Sequence, residues 1–318
     1  MTLGKPFRQS VIGVENHMVE LNDKTLRLIF PQWQGGNNPP YVLGARLLAW
    51  LAPEATGPVE EVPVSAPTSE PLRMERGIVG RSALLEQLHQ ARQLIDRHQP
   101  KRMVVLGGDC LVDLAPFAYL NERYAGELAV LWVDSHPDIM TPEQFPHAHA
   151  MVLGNLLGEG DADFASVVKK PIKPQNILYL GLHGPTEWEA SQIMQLGLKN
   201  ISPDDVASQG SAPVLNWFAS TGAKHLAIHL DLDVLDPTLF RALLFANPKT
   251  PAGTFDGVAQ GKLTIPQVLQ VIGDIAGVAD IVGLGIAEHL PWDALALQEM
   301  LAKLPLIGTA ATRIDPAN

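Results

Sequence analysis

Asp134, His136 and Asp138 stand two residues apart, directly after an apolar run that ends at Val133. Asp231 and Asp233 repeat that spacing after a second apolar run that ends at Leu230. In an extended chain, residues two apart project to the same side, so each set can converge on one point. Carboxylates joined by an imidazole suit a divalent first-row metal. Two further apolar runs end in groups of the same kind, Gly107-Gly108-Asp109-Cys110 and Ile286-Ala287-Glu288-His289. Asp109 is read as bracing its turn, and Asp236, before Pro237, as stopping its strand. Without a counter-charge the remaining carboxylates would repel one another, and one or two divalent cations would supply it.

The elements that must position these residues alternate regularly. Apolar, strand-like runs fall at 26–30, 102–106, 127–133, 176–181, 199–201, 224–230 and 279–285. Helical spacing of apolar residues marks 41–51, 81–98, 114–123, 148–157, 187–196, 212–221, 265–276 and 293–304. Residues 53–71, rich in Pro, Ser, Thr and Glu, read as an exposed excursion with a short strand at 62–64. Strand-helix alternation predicts a mainly parallel sheet covered by helices, whose carboxyl ends share one edge. The acidic clusters would then meet on that edge although they are far apart in sequence. Alternation alone allows an open doubly wound sheet or a closed eight-fold barrel. A dinucleotide fingerprint is absent, so Gly107-Gly108 reads as a turn.

Composition narrows the classes further. The 318 residues are 46% hydrophobic and 18% charged, which predicts a sizeable core and excludes general disorder. The net charge of −11, with no cluster of Lys and Arg, argues against nucleic acid as a partner. No apolar stretch is long enough to span a membrane. The single cysteine, Cys110, and an N-terminus without a secretion-type pattern lead to the expectation of a cytoplasmic protein.

GGDC at 107–110, WVDSHPDIMTP at 132–142, HLDLDVLDP at 229–237 and GIAEH at 285–289 together resemble the ureohydrolase (arginase/agmatinase) family, in order and spacing, from about residue 31 to 304. The resemblance implies one domain over 1–318: a three-layer α/β/α fold with an open, mainly parallel eight-stranded sheet, which selects against the barrel. The first ~25 residues could form an arm, as termini often do. The resemblance also implies two divalent ions, usually manganese, and hydrolysis of guanidino or related amidino C–N bonds by a hydroxide that bridges the metals. Carried over by position, Asp134 and Asp231 would bridge both ions. His136 and Asp233 would complete one shell, and Asp138 and Cys110 the other. Asp138 would orient the hydroxide, Glu288 would hold the planar cation, and His149 would shuttle a proton. The partner expected is a small cationic substrate, and the family tends to form trimers or hexamers.

Two departures qualify that picture. Cys110 stands where the family pattern has histidine, and a thiolate prefers zinc, iron, cobalt or nickel to manganese. Met140, Phe145, His147 and the stretch 181–186 lack the groups that suit an α-carboxylate and α-amine, so arginine itself is expected to be a poor substrate. Phe145, Met140 and Trp188 would make the outer pocket apolar. The alternative is a metal-impaired, non-catalytic member that serves as a binding or assembly module.

Overall fold

The computed structural model describes residues 25–307. Strand β1 (Thr25–Phe30) opens the described chain and helix α1 (Tyr41–Leu51) follows it. Next come β2 (Val59–Glu61), a hairpin of β3 (Met74–Glu75) and β4 (Ile78–Val79), and α2 (Arg81–His98). Regular alternation then brings β5 (Arg102–Gly107), α3 (Leu114–Arg123), β6 (Leu128–Val133), α4 (Val152–Leu157), α5 (Ala162–Ala165), β7 (Ile177–Leu180), α6 (Glu187–Leu196) and β8 (Lys199–Ile201). The chain continues through α7 (Pro203–Gln209), α8 (Ala212–Thr221), β9 (His225–Asp231), α9 (Ile265–Ala276), β10 (Asp280–Ala287) and α10 (Trp292–Leu301).

Eight strands form one open sheet in the order β2-β1-β5-β10-β9-β6-β7-β8. Every pairing within it is parallel. The open sheet, not the barrel, is therefore the architecture. β6 reads LAVLWV and is buried at all six positions, as a strand covered on both faces requires. One apolar core joins α2, α3 and α4 to one side of the sheet, and a second joins α8 and α9 to the other. The four strands at the centre, β5, β10, β9 and β6, are the four whose carboxyl ends carry the acidic clusters.

Several local expectations shift. The strand expected at 62–64 forms instead at Val59–Glu61. Pro58 accepts from Arg27 before it, Val62 N–H donates to Ile29 after it, and Pro63 has no N–H to continue the ladder. The helix expected over 148–157 begins as a 3-10 turn, Ala148–Met151, before α4. The last helix is shifted to Trp292–Leu301. α7 went unnoticed although Ser202-Pro203-Asp204-Asp205 carries a capping box, with Ser202 and Asp205 exchanging side-chain-to-backbone bonds. The possible N-terminal arm lies outside the described residues.

Candidate metal centre

β6 ends at Val133, and the chain then turns. Asp134 Oδ1 accepts from the backbone N–H of His136 at 2.7 Å. β9 ends at Asp231, whose Oδ1 accepts from the N–H of Asp233, also at 2.7 Å. The paired spacing thus works through two equivalent Asx turns, not through extended alternation beyond the strand. Asp138 lies in the left-handed region, with φ +50°, and its carbonyl accepts from Leu153 and Gly154 at the start of α4. Glu288 is also left-handed, with φ +64°, and its N–H donates to Gly108 O at 2.7 Å. Strained backbone of this kind persists only where its surroundings enforce it.

These turns gather the donors into overlapping groups. Atoms of Asp134, His136 and Asp233 form one, and atoms of Cys110, Asp231 and Glu288 another. Cys110, Asp134 and Asp138 form a third with His229, and within each group the atoms lie within 4.8 Å of one another. His136 Nε2 faces the Ala259 carbonyl at 3.1 Å. Donation to that carbonyl turns Nδ1 toward Asp233 at 3.1 Å and Asp134 at 3.5 Å. A backbone carbonyl that orients a histidine in this way is a common support for metal ligation. His149 turns inward from the 3-10 segment and places Nδ1 2.9 Å from Glu288 Oε1. Asp109 braces its turn as expected: its carboxylate accepts from Gly35, Gly36 and Leu111. Asp236 likewise accepts from Thr238 at the strand exit.

Charge in the cluster is poorly balanced. Burial, then repulsion from Asp134, pushes the Asp138 carboxyl well above its ordinary range. Burial, then Asp233 and Glu288, does the same to Asp231. Burial, then Asp231 and Glu288, pushes the Cys110 thiol up, and its Sγ donates to Asp231 Oδ2 at 3.0 Å. Burial would lower His136, but Asp233 and Asp134 outweigh it and raise the imidazole well above its usual value. Asp138 Oδ2, Asp233 Oδ1 and His229 Nε2 are buried and have no hydrogen-bond partner. Polar atoms in that state are costly unless something pairs with them. Orphaned carboxylate oxygens and excess negative charge fit divalent cations, so the residues present suit the two-ion site that the resemblance implies.

His136, Asp138, Asp231, Asp233 and Glu288 of the cluster form the floor of a cavity of about 520 Å³. Phe145 and Met140 line it as expected. Trp188 does not: it packs, partly buried, against the main core. The capping box of Thr186 and Glu189 sets the first turn of α6, so Glu189 faces the cavity and Trp188, about 100° round the helix, does not. The Glu189 carboxylate is engaged with Thr186 at 2.7 and 2.8 Å. Further apolar wall comes from Leu244, Phe245, Phe255, Val258 and Trp292. Most of these lie in the irregular stretch between β9 and α9, where no periodicity marks a function. His229 was missed too. Its signal was present: it lies two residues before Asp231 on a strand and so projects to the same face.

Fold and site together define a parallel α/β protein with a carboxylate-rich, imidazole-bearing crest suited to divalent ions. The chain belongs to the Arginase family, whose family model matches residues 70–293. An arginase of Staphylococcus aureus (strain MRSA252) is 29% identical over 140 residues, covering 42% of this chain and 46% of that protein. The chain thus spans about half the length of the curated relatives it matches. Among solved structures, arginase from Bacillus caldovelox matches with a TM-score of 0.71 at 20% identity, over 89% of this chain and 99% of that one. Proclavaminate amidino hydrolase from Streptomyces clavuligerus matches with a TM-score of 0.61 at 16% identity, over 84% of each chain. Among the described residues no helix is long and apolar enough to cross a membrane.

Proposed function

We propose that this protein is a metal-dependent hydrolase of a guanidino or related amidino C–N bond in a small cationic compound other than arginine. The observation that carries this reading is the set of overlapping donor groups, with orphaned carboxylate oxygens, of which His136, Asp138, Asp231, Asp233 and Glu288 line one cavity. Family membership supports it, and so does the amidino hydrolase named among the solved structures that share the fold. Asp134, His136, Asp138, Asp231, Asp233 and Cys110 are the residues that would hold two ions: manganese by resemblance, with zinc, iron, cobalt or nickel favoured by the thiol. When bound, such a pair supplies a water acidic enough to act as a nucleophile near neutral pH.

The chain's own groups do the rest. Asp138 Oδ2, buried and without a protein partner, is placed to accept the nucleophile's proton. Glu288 offers a buried carboxylate to a planar cation, a geometry suited to paired N–H donors. His149, on Glu288 and opening to the cavity, carries a proton toward the departing amine. Phe145, Phe255 and Trp292 give the cavity an apolar wall around the substrate. Met140 and Phe145 present no donor or acceptor to an amino acid head, which disfavours arginine. Trimeric or hexameric assembly is carried over from the resemblance and is measured by light scattering.

One observation favours a second reading, a metal-impaired binding module: the Cys110 thiol is buried and hydrogen-bonded to Asp231. The two part in a single experiment. The purified chain is stripped of metal and reloaded with manganese, zinc, iron, cobalt or nickel. Bound metal is counted, and guanidino and formimino compounds are screened for release of urea, amide or amine. Turnover of a non-arginine guanidine that Asp138→Asn abolishes is the expected result. No turnover of any compound under any ion, with metal bound or not, would sink the hydrolase reading and favour the module.

A further inference from the structure

We infer that His229 is a metal ligand, and that with Cys110, Asp134 and Asp138 it forms a thiolate-imidazole-carboxylate centre selective for zinc-like ions over manganese. This rests on the metal reading of the site and adds to it a residue from inside the sheet. His229 is fully buried on β9. Its Nδ1 lies 2.7 Å from Asp113 Oδ2; with Nδ1 donating to that carboxylate, Nε2 is left to face the cluster as the acceptor. Nε2 has no hydrogen-bond partner, lies 4.0 Å from Asp134 Oδ2 and shares a donor group with Cys110, Asp134 and Asp138. Its ring is stacked on Trp132, with centroids 3.8 Å apart, which fixes its plane. A carboxylate on one ring nitrogen with a bare lone pair on the other is the support that metal-binding histidines characteristically have.

The arrangement behind His229 serves this orientation. Asp113 is fully buried in the 3-10 turn that begins at Cys110, so ligand and support come from one short segment. Gly285 on β10 leaves the space that the Asp113 carboxylate fills: a Cβ there would collide with both of its oxygens. A sulfur, a nitrogen and two carboxylates within 4.8 Å of one another suit zinc, cobalt or iron, whereas manganese prefers oxygen donors. Binding there would require Cys110 to give up its thiol proton to solvent as its sulfur takes the metal, with no oxidant or reductant involved.

The test uses the full chain, freed of metal and titrated with zinc, cobalt(II) and manganese(II) against a chromophoric chelator. Cobalt(II) should give a thiolate charge-transfer band that Cys110→Ser abolishes. His229→Gln should weaken zinc at this centre by about tenfold or more and change the cobalt ligand-field spectrum. Asp113→Asn should weaken zinc by about 10–100-fold. X-ray absorption on zinc-loaded His136→Asn protein, where the other imidazole of the cluster is gone, should still show imidazole beside sulfur. This arm decides the matter even if His229→Gln fails to fold. Unchanged zinc affinity and cobalt spectrum in folded His229→Gln, or sulfur without imidazole in His136→Asn, would overturn the assignment of His229 alone. A wild-type chain that binds no divalent ion would overturn the metal reading of the whole site.

Discussion

Arg81 shows how a charge outside the cavity is held. It is almost fully buried at the start of α2, and its Nη2 meets Asp161 at 2.9 Å and Asp163 at 2.6 Å. Burial alone would raise the Asp161 carboxyl, but the Arg81 hydrogen bond outweighs it and holds the pKa below the ordinary 3.8. A carboxylate depressed in the folded state adds stability above its ordinary pKa, and that stability is lost as pH falls through the folded value. Arg81→Met should therefore cost about 1.5–3 kcal/mol at neutral pH, the range for hydrogen bonds to charged groups, and flatten the acid limb of a urea-midpoint profile. Parallel wild-type and variant profiles between neutrality and strong acid would refute that coupling. Position 110 carries a second expectation at this scale. Cys110→His should raise manganese affinity by about tenfold or more, because it exchanges a soft donor for an imidazole. An unchanged manganese isotherm would mean that the cysteine is not what sets metal preference. The acidic and imidazole residues of the cluster were legible because their spacing repeats at several strand ends. His229 was hidden in an apolar strand, where a histidine reads as core.

At the scale of elements, the site depends on how closely α1 approaches the end of β10 and the turn after β5 approaches the segment after β1. A Cβ on Gly44 of α1 would overlap the His289 carbonyl, and a Cβ on Gly108 after β5 would overlap the Gln32 carbonyl. His289 Nδ1 in turn meets Gly44 O at 3.1 Å. Gly44→Ala should push α1 away from the Glu288 turn and cost about 1–3 kcal/mol, the range for overpacking a tight contact. Since α1 also carries Tyr41, whose ring borders Glu288 in the cavity, the substitution should reduce turnover more than a matched surface change. Equal stability and turnover in Gly44→Ala and wild type would show that the contact is not tight in solution. Periodicity revealed most long helices at their observed limits, α1, α2, α3, α6, α8 and α9 among them. It failed where tertiary contacts override it: at the proline-bracketed β2, at the 3-10 entry to α4 and along the irregular stretch that supplies Leu244, Phe245, Phe255 and Val258 to the cavity wall. No local pattern encodes that Phe255 and Trp292 face the same hollow.

Across the whole molecule, parallel topology does what no single motif can. Residues 110, 134, 231 and 288 meet because β5, β6, β9 and β10 are the four central strands and all run the same way. A buried cluster of this charge stores repulsion in the metal-free chain. Divalent metal should stabilise the folded chain by about 2.7 kcal/mol when free metal is a hundred times its dissociation constant, and so raise the unfolding midpoint. Scanning calorimetry with and without a chelator measures this. An identical midpoint in both would mean that the cluster binds no ion in the folded state. The open sheet was legible only through the family resemblance, because alternation of strand and helix describes a closed barrel equally well.

The missing side chain at Gly285 has a consequence for how sequences like this one can diverge. Three strands share the notch. β10 leaves it open, the turn after β5 fills it with Asp113, and β9 sets His229 against that carboxylate. None of the three can change alone without stranding a buried polar group or forcing a collision. They should therefore be inherited as a unit. A segment swap with a relative that lacks the set should yield a well-behaved protein only when positions 113, 229 and 285 cross over together.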